Sequence, residues 1–474
     1  MTELLDRKET GYLDSAYGEN VYAPVECELS VPGVTGHGNI PRDINGIFVQ
    51  ATPNPAYPPG PGHSWFDGDG MIQSVEIIDG AAHYRNRWVQ TKGLLEDREA
   101  GRATYIGSLA KQKLGKRHKN TANTDLVWHA GRLLALWWEG GEPYELSLPS
   151  LETVGTYDYG GTLDIGLTSH CKVDPKTGEL FFIAWATRAP YLTLGVATED
   201  GRIARKVAIE LAGPRVQHDM GLSDRSVAVF DFPLAIDPER EGTALGFKMV
   251  DQPSRIGLLS RDPADDVVQW FEVEPCYMWH LMCCYDDGDD FVVIGVRSAN
   301  AANYDSTHEV DDRPTVDGEH RFDTLLHEWR LNRRTGVARE RDVDNVLAEL
   351  PRVNDAYVSS GASFGYAGLL DEKAETFRFK GIAKYDLKTY ERKDIFFPDG
   401  WVCNEPNFVP ADKPQAEDDG YVVAFVTDTK SLATQFWIIR ADEFEKGPVA
   451  RLELPQRVPA GFHGRWIPRS TYAG

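Results

Sequence analysis

The segment DPKTGELFFIAW, residues 174–185, sets a polar turn directly before a short apolar run. The run LFFIAW is rich in aromatic and aliphatic residues and is shorter than a typical helix, which favours a buried strand. Similar runs follow along the chain: LLALWW (133–138), SVAVFDFPLAI (226–236), FVVIGV (291–296), YVVAFVT (421–427) and FWII (436–439). Turn sequences recur between them, among them DDG (286–288), NRRTG (332–336) and EDDG (417–420). The pattern predicts an all-β protein.

This series of short strands predicts one β-propeller domain over residues 1–474, with residues 1–20 as a peripheral segment. Glycine and proline are spread along the chain and concentrate in no linker. Strands do not alternate with helices in the way that a parallel sheet requires. Helical patterns are sparse, and the two candidates are Leu94–Lys113 and Val343–Leu350.

Charge and composition restrict the class of protein. The net charge is −23, with 42% apolar and 26% charged residues, as in an ordinary soluble globular protein. Such acidity disfavours nucleic acid as a partner, and the one basic run, KQKLGKRHK (111–119), is typical of a solvated surface. No run approaches the roughly 20 apolar residues that span a bilayer. The polar N-terminal sequence lacks the regions of a secretory signal, so a cytoplasmic protein is expected.

The six cysteines are scattered and form no C-x-x-C motif; they are Cys27, Cys171, Cys276, Cys283, Cys284 and Cys403. In a chain without a secretory signal, such cysteines are expected to be reduced and mostly buried. The sequence therefore predicts no disulfide framework.

Two local motifs resemble functional sites. GASFG (361–365) matches the G-x-S-x-G pattern of serine hydrolases, but no helix signature follows it, as that nucleophile turn requires. FDGDG (66–70) combines acids with glycine, but it lacks the spaced ligands and closing glutamate of a calcium-binding loop. We interpret the first as incidental and the second as a structural turn.

Four histidines have apolar or small neighbours, which favours burial. Their settings are GLTSHCKVD around His170, VQHDM around His218, CYMWHLM around His280 and GFHGRW around His463. A buried neutral imidazole is a good ligand for first-row metals. For each histidine taken alone, a hydrogen-bonded core role is the commoner one, and their spacing forms no local metal motif.

Several short motifs occur in a distinctive order: NGIF (45–48), WFDGDGM (65–71), the four histidine settings, ELPR (349–352), EPNFVP (405–410) and GFHG (461–464). From about residue 20 to the last few residues, this set resembles the carotenoid cleavage oxygenase family. The resemblance implies a seven-bladed β-propeller with loops and short helices capping one face over an axial metal site. It also implies an iron(II) ion held by His170, His218, His280 and His463 from separate blades.

By the same resemblance, Glu139, Glu349 and Glu405 accept the free ring N–H groups of the ligands. Such partners fix the tautomer of an imidazole and raise its basicity. From the sequence alone, each glutamate would be placed on the surface. Thr124 resembles a family threonine whose methyl group leans toward an open iron position, with an ordinary strand threonine as the alternative.

The chemistry implied by this family is the cleavage of a conjugated alkene by dioxygen to two carbonyl products. Four neutral imidazoles leave Fe(II) with its full double charge and with open coordination positions. Phe66, Tyr105 and Trp138 are the candidate substrate-binding residues. Stilbene-cleaving members carry a phenol-binding lysine where this chain has Trp138, which favours an apocarotenoid substrate and leaves stilbenes and vinyl- or propenyl-phenols as the alternative.

Two further functions stay open at this point. One branch of the family carries out metal-dependent isomerisation or ester cleavage, and a propeller of another class would bind a ligand or protein without catalysis. The expected partners are a small apolar alkene and O2, with no nucleic acid. A peripheral membrane contact is compatible with an apolar substrate, and the sequence sets no oligomeric state.

Overall fold

The apolar runs of the sequence form strands, and Leu180–Trp185 is a strand with the predicted bounds. A computed structural model describes residues 18–59, 63–107, 119–236, 247–298, 323–374 and 376–472. Within these ranges the named strands pair antiparallel throughout and far outnumber the helices, which confirms the β-rich class. No helix in the described ranges is long and apolar enough to cross a membrane.

The strands of the first half of the chain are β1 (Ser30–Val34), β2 (Gly36–Gly38), β3 (Gly46–Pro53), β4 (Gly70–Ile78), β5 (Ala81–Trp88), β6 (Asp125–His129), β7 (Arg132–Leu136), β8 (Tyr144–Leu146), β9 (Thr153–Thr156), β10 (Lys172–Val173), β11 (Leu180–Trp185), β12 (Leu192–Ala197), β13 (Ile203–Ile209), β14 (Gly221–Leu222), β15 (Ser226–Asp231), β16 (Leu234–Ile236) and β17 (Phe247–Met249).

The second half continues with β18 (Ser254–Ser260), β19 (Val268–Val273), β20 (Tyr277–Asp287), β21 (Asp290–Ser298), β22 (Leu325–Asn332), β23 (Val337–Val353), β24 (Phe364–Leu370), β25 (Phe379–Asp386), β26 (Arg392–Phe396), β27 (Trp401–Cys403), β28 (Asn407–Pro410), β29 (Gly420–Asp428), β30 (Thr434–Arg440), β31 (Pro448–Glu453) and β32 (Gly464–Pro468). The helices are α1 (Lys92–Ala100) and α2 (Arg469–Tyr472), with 3₁₀ turns at Asn20–Tyr22, Trp65–Asp67, Asp355–Tyr357 and Phe444–Lys446.

The strands are grouped into antiparallel sheets of sequential neighbours. Three sheets have four strands each, in the orders β6-β7-β8-β9, β10-β11-β12-β13 and β14-β15-β18-β19. A five-stranded sheet has the order β1-β5-β4-β3-β32, and β16 pairs with β17 alone. A thirteen-stranded sheet runs from β20 to β31 and has β2 at its far end.

Strands distant in sequence pair at two places. Strand β3 pairs with β32, with Phe48 opposite Trp466 and Gln50 opposite Gly464. Strand β2 pairs with β31. Phe48 is fully buried and packs against Phe425, with ring centroids 5.6 Å apart. These pairings bring early and late segments of the chain into one core.

Helix α1 agrees only in part with the predicted helix Leu94–Lys113. The helix begins after Thr91, whose side chain accepts a hydrogen bond from the Leu94 amide, and it ends at Gly101, which has a φ of +66°. A left-handed glycine of this kind is a common helix terminator. Residues 108–113 of the prediction lie outside the described ranges.

The predicted helix Val343–Leu350 is wrong, because these residues belong to strand β23. This strand pairs with β22 through its first part and with β24 through its second part. Strand partners on both sides satisfy its backbone groups, and β-branched valines suit a pleated sheet.

The basic run was expected on a solvated surface, and for Lys119 that expectation is wrong. Its ammonium group lies 2.5 Å from Asp69 and 2.6 Å from Asp97, with 13% of the side chain exposed. A cation buried to this degree needs such partners. Residues 111–118 lie outside the described ranges.

The remaining local expectations agree with the structure. All six cysteines are free, and only Cys27 is exposed. The GASFG motif leads into strand β24 and not into a helix. Trp65–Asp67 forms a 3₁₀ turn in which the Asp67 carboxylate accepts the Ser64 amide at 2.8 Å. The two motifs thus have the local structure of a strand entry and of a tight turn.

Candidate metal centre

The four predicted histidines converge on one buried point. The Nε2 atom of His218 lies 3.1 Å from Nε2 of His170 and 3.3 Å from Nε2 of His280. The ring of His463 lies 4.4 Å from that of His170 and 4.9 Å from that of His280, between centroids. One ring nitrogen from each of His170, His280 and His463 lies within 4.8 Å of the others. Residues that are far apart in sequence thus form a single cluster.

Each histidine lies within or shortly before a strand of a different sheet. His170 and His218 lie in the loops before β10 and β14, His280 lies within β20, and His463 directly precedes β32. The pairing of β20 with β21 is irregular on both sides of Leu281. Irregularities of this kind are common beside functional sites, where they redirect a side chain.

Asp219 joins three of the histidine segments. Its Oδ2 accepts the Leu281 amide at 2.8 Å, and its Oδ1 accepts the Lys172 ammonium at 2.6 Å. Lys172 also donates to the carbonyl of His170 at 3.1 Å. The segments of His170, His218 and His280 are therefore tied together by buried, charge-assisted bonds.

The backbone of His463 is held by segments from the first part of the chain. Its amide donates to the Thr124 carbonyl at 3.2 Å, and its carbonyl accepts the Ala51 amide at 3.0 Å. Ala51 belongs to β3, so the pairing of β3 with β32 also positions this histidine.

Glu349 and Glu405 lie behind two of the rings. Glu349 Oε2 is 2.6 Å from His280 Nδ1, and Glu405 Oε1 is 2.7 Å from His463 Nδ1. Both carboxylates are fully buried. Each also accepts a backbone amide, from Leu350 and Gly464 respectively. The Nε2 atoms of both rings are thereby left to face the centre.

Glu405 is ionised although it is buried. Burial alone would raise its pKa, but the Arg352 guanidinium, with Nε 3.1 Å from Oε1, and His463 together lower the pKa to about 2. A carboxylate in this state accepts the N–H of His463 strongly.

Two of the imidazoles are held in the neutral state. Burial lowers the pKa of His170 and of His218 well below the usual value, and the neighbouring histidines lower both further. Only a neutral imidazole has a free nitrogen lone pair for a metal.

The donor set fits a first-row metal ion. Two imidazole nitrogens each about 2.1 Å from one ion, and at right angles around it, lie about 3.0 Å apart. The separations of 3.1 and 3.3 Å between Nε2 atoms are close to this value. Imidazole ligands suit iron, copper, nickel and zinc better than magnesium or calcium.

Thr124 is placed beside the cluster through His463. Its hydroxyl donates to Asn123 Oδ1 at 2.9 Å and accepts the Trp138 amide at 3.1 Å. Because the hydroxyl has these partners, the methyl group is the part of the side chain left for other contacts. The methyl's approach to a metal stays a prediction.

Glu139 lies in the turn that follows β7. His218 Nδ1 is buried and has no hydrogen-bond partner among the described residues. The predicted bond between Glu139 and a ligand ring therefore stays a prediction.

Aromatic side chains surround the cluster. The Phe66 ring stacks on Phe462, with centroids 5.5 Å apart and planes at 3°, and Phe462 directly precedes His463. Trp138 lies 6.0 Å from Trp185, and Trp279 lies 4.8 Å from the His218 ring. Phe462, Trp185 and Trp279 were not among the predicted substrate residues, although two of them adjoin predicted ligands.

Tyr105 has polar contacts. Its hydroxyl donates to Glu96 at 2.9 Å, and the Lys119 ammonium lies 5.7 Å from the ring centroid. Burial and the Glu96 carboxylate raise its pKa to about 12, so the phenol is neutral. A role in substrate binding stays a prediction.

Comparison with known proteins adds a separate line of evidence. Residues 22–468 match the family model described as retinal pigment epithelial membrane protein. The carotenoid 9,10(9',10')-cleavage dioxygenase 1 of Arabidopsis thaliana is 32% identical over 491 residues, which cover 94% of this chain and 88% of that protein. A carotenoid cleavage oxygenase of Mycobacterium tuberculosis is 29% identical and covers 95% of this chain and 97% of its own length.

Solved structures share the fold. The lignostilbene dioxygenase of Pseudomonas brassicacearum superposes with a TM-score of 0.85 at 25% identity, covering 96% of this chain and 98% of that one. The cobalt-substituted apocarotenoid oxygenase of Synechocystis has a TM-score of 0.83 at 23% identity, with 94% and 97% covered.

Proposed function

The chain belongs to the carotenoid cleavage oxygenase family, and from that premise we propose that it is an iron(II) dioxygenase that cleaves a conjugated carbon–carbon double bond of an apolar substrate into two carbonyl products. The observation that carries the proposal is the convergence of His170, His218, His280 and His463, with Glu349 and Glu405 behind two of the rings.

In this proposal the four histidines hold the iron through Nε2. Iron(II) bound there supplies the activation of O2 beside the alkene, since four neutral ligands leave coordination positions open. The chain's own residues supply the rest. Glu349 and Glu405 fix two rings in one tautomer and orientation, and Glu139 is proposed to do so for a third. The methyl of Thr124 is proposed to border an open position.

The aromatic residues near the cluster form the proposed binding surface. Phe66 stacks on Phe462, and Trp138 packs near Trp185. Flat apolar side chains suit a rigid conjugated chain and exclude water from the reacting bond. Apocarotenoids are the favoured substrate class. Two observations support this choice: relatives of the chain are named as carotenoid-cleaving enzymes, and the position before Glu139 is Trp138, an indole, where stilbene-cleaving members carry a lysine.

Cleavage of hydroxystilbenes or vinyl-phenols is the second candidate. The specific observation in its favour is the similarity to a lignostilbene dioxygenase, with a TM-score of 0.85. A phenol-binding group is needed for this substrate, and Tyr105 is the candidate.

We propose a seven-bladed propeller as the architecture. Strand β23 pairs with β22 through its first part and with β24 through its second, so it links two blades within the thirteen-stranded sheet. Separating the sheet there, and again at β27, leaves three groups of strands. Together with the four smaller sheets that contain β6, β10, β14 and β32, the groups make the seven proposed blades.

Metal analysis and a substrate panel test the function. Protein purified under reducing conditions and loaded with iron is expected to bind about one iron per chain and to convert apocarotenals to shorter aldehydes. Labelled O2 should appear in both carbonyl products. Iron-loaded protein that yields no aldehyde from either apocarotenals or hydroxystilbenes would contradict the proposal.

The ligand assignment has a matched control within the chain. His280→Ala is expected to abolish stoichiometric iron binding. His129→Ala removes a histidine that is also buried, with 2% exposed, but whose Nε2 is paired with the Gly178 carbonyl. This control variant should keep its iron.

Oxygen uptake separates cleavage from the isomerase and ester-cleaving alternative. One O2 consumed per substrate is expected for a dioxygenase, while turnover in the absence of O2 favours the alternative. Protein that folds but binds no metal would favour a propeller without catalytic activity.

A further inference from the structure

His170 differs from the other ligands in what lies behind its ring. Its Nε2 faces His218 Nε2 at 3.1 Å, so the Nδ1 edge points away from the centre. There it faces Asp125 Oδ2 at a distance of 3.7 Å, with both side chains at most 4% exposed. Glu349 and Glu405 are engaged with His280 and His463. Asp125 is therefore the carboxylate found next to His170.

The backbone at His170 increases the need for such a partner. Its φ is +59°, in the left-handed region that residues other than glycine seldom adopt. A conformation of this kind persists where surrounding contacts determine it. Lys172 holds the carbonyl of His170, but that bond leaves rotation of the ring undetermined.

A cavity of about 250 Å³ lies beside Asp125. Its charged lining residues are Asp125, Lys172, Arg352, Asp355 and Arg465, and His170 is not among the residues that line it. Arg352 Nη2 lies 3.9 Å from Asp125 Oδ1, so a cation faces the side of the carboxylate that does not face His170.

The position of Asp125 itself is well defined. Its Oδ1 accepts the Leu126 amide at 2.7 Å at the start of β6. This bond fixes the carboxylate and directs Oδ2 toward His170. A separation of 3.7 Å is slightly longer than a hydrogen bond and too short for a bridging water, so the carboxylate faces the ring edge directly as a charge.

We propose that Asp125 is a positioning residue of the metal site, whose carboxylate orients His170. Its negative charge beside Nδ1 favours the tautomer that carries a proton there, so that Nε2 keeps its lone pair for the metal. The inference rests on the proposed function, because it assigns a role at the same metal site.

The test compares Asp125→Asn with the wild-type protein and with Asp355→Asn. Asparagine keeps the acceptor for the Leu126 amide but replaces the other oxygen with an NH2 group, which donates. Asp355 lines the same cavity and pairs with Arg465, and its side chain is 59% exposed. Asp355→Asn is therefore a matched control, because it also removes one carboxylate, but one that does not face a histidine.

Two readouts that do not depend on activity are measured: the dissociation constant for Fe(II) and the visible d–d spectrum of the Co(II)-loaded protein. Asp125→Asn is expected to weaken iron binding about 10–100-fold, as loss of a ligand's carboxylate partner does, and to change the cobalt spectrum. Asp355→Asn should leave both readouts as in the wild type. An Asp125→Asn protein with wild-type affinity and spectrum would overturn the inference.

Asp125→Glu distinguishes positioning from packing and decides the case in which Asp125→Asn does not fold. This variant keeps the negative charge. If its affinity for Fe(II) lies within a few-fold of the wild-type value and its cobalt spectrum is similar, the result supports a positioning role. A folded Asp125→Glu protein with more than tenfold weaker binding overturns it. If the wild-type protein itself binds no iron, the proposed function fails instead, so the two failures are distinguishable.

Discussion

Glu405 connects several groups through one side chain. It accepts His463 Nδ1 and the Gly464 amide, and it also accepts Asn407 Nδ2 at 3.0 Å. Glu405→Gln keeps the shape but removes the charge that faces Arg352, and its amide must turn an NH2 group toward one of these donors. We expect iron to bind about 10–100-fold more weakly, measured by competition with a chelator.

Glu445→Gln is the control for that prediction. Glu445 has 64% of its side chain exposed and forms a surface ion pair with Lys393, at 3.1 Å. Its replacement should leave iron binding as it is. Equal affinities for Glu405→Gln and wild type would show that Glu405 does not orient the ligand.

Trp138 is the residue at which the substrate classes diverge. Its backbone amide donates to the Thr124 hydroxyl, and the Thr124 carbonyl accepts the His463 amide, so two hydrogen bonds link the Trp138 backbone to His463. A hydrogen bond from a charged donor contributes about 1.5–3 kcal/mol, equivalent to roughly tenfold or more in a rate ratio. Trp138→Lys should therefore raise kcat/KM for hydroxystilbenes relative to apocarotenals by about tenfold.

The ratio of kcat/KM values measured on both substrates checks this prediction. Trp138→Phe keeps an apolar ring and should preserve the wild-type preference. A lysine variant with an unchanged ratio would remove Trp138 from the list of specificity residues.

At the level of single residues, the family resemblance was more informative than any local pattern. It assigned the four histidines and the two glutamates with bonds to their rings, whereas the residues alone favoured core histidines and surface glutamates. Phe462 and Trp279 were missed although each directly precedes a predicted ligand. No sequence motif pointed to Asp125, because it approaches His170 only when β6 packs beside the loop before β10.

Strand pairing between β3 and β32 makes a prediction at the level of elements. A methyl group at Gly46 would lie 2.7 Å from the Trp466 ring and would collide with the Ile467 carbonyl. Gly46→Ala is expected to lower the free energy of unfolding by about 1–3 kcal/mol, as overpacking does. Because β32 follows His463, iron affinity should fall as well. Chemical denaturation and metal titration measure the two effects.

Gly213→Ala is the matched control. Its added methyl group would meet nothing closer than Arg215 Nη1 at 3.5 Å, and its φ is not in the left-handed region. We expect its stability to stay within about 0.5 kcal/mol of wild type, as for substitutions away from special features. A Gly46→Ala protein as stable as this control would contradict the importance of the pairing.

Strand β23 explains one limit of sequence-based prediction at this scale. Its residues Val343, Val346, Leu347 and Leu350 have a spacing that also fits a helix face. The segment is a strand because it pairs with β22 on one side and with β24 on the other. The sequence of the segment itself does not reveal these partners. In contrast, the continuous apolar runs formed strands as predicted, and one of them, Leu180–Trp185, did so with its predicted bounds.

For the whole molecule, the metal is expected to act as a cross-link between sheets. Its proposed ligands lie within or shortly before strands of four separate sheets, so the ion should bind only the folded chain. At a free concentration 100 times its dissociation constant, such a ligand adds about 2.7 kcal/mol of stability. Fe(II) added without oxygen should raise the melting temperature of metal-free protein.

The His280→Ala variant should lose this rise, and Mg²⁺ should not produce it, because imidazole suits transition metals and not hard cations. Calorimetry on metal-free protein provides the measurement. Stabilisation of equal size in His280→Ala would place the bound ion elsewhere.

For the architecture as a whole, the sequence pattern predicted only the β-rich class. Alternation of turns and apolar runs indicated many antiparallel strands, but the pairings of β3 with β32 and of β2 with β31 join segments with no local signal for each other. The number of blades came from family resemblance and not from the pattern.

The pairing of β3 with β32 also bears on how the protein is made. A ribosome releases β3 early, and every residue of this strand is buried in the finished fold. Its partner β32 emerges after the other strands of the described residues, directly behind His463. At about 5–20 residues per second, the nascent chain spends many seconds with one apolar edge unpaired. Translation therefore delivers His463 and β32 together, and chaperones that shield strand edges should be most needed before that moment.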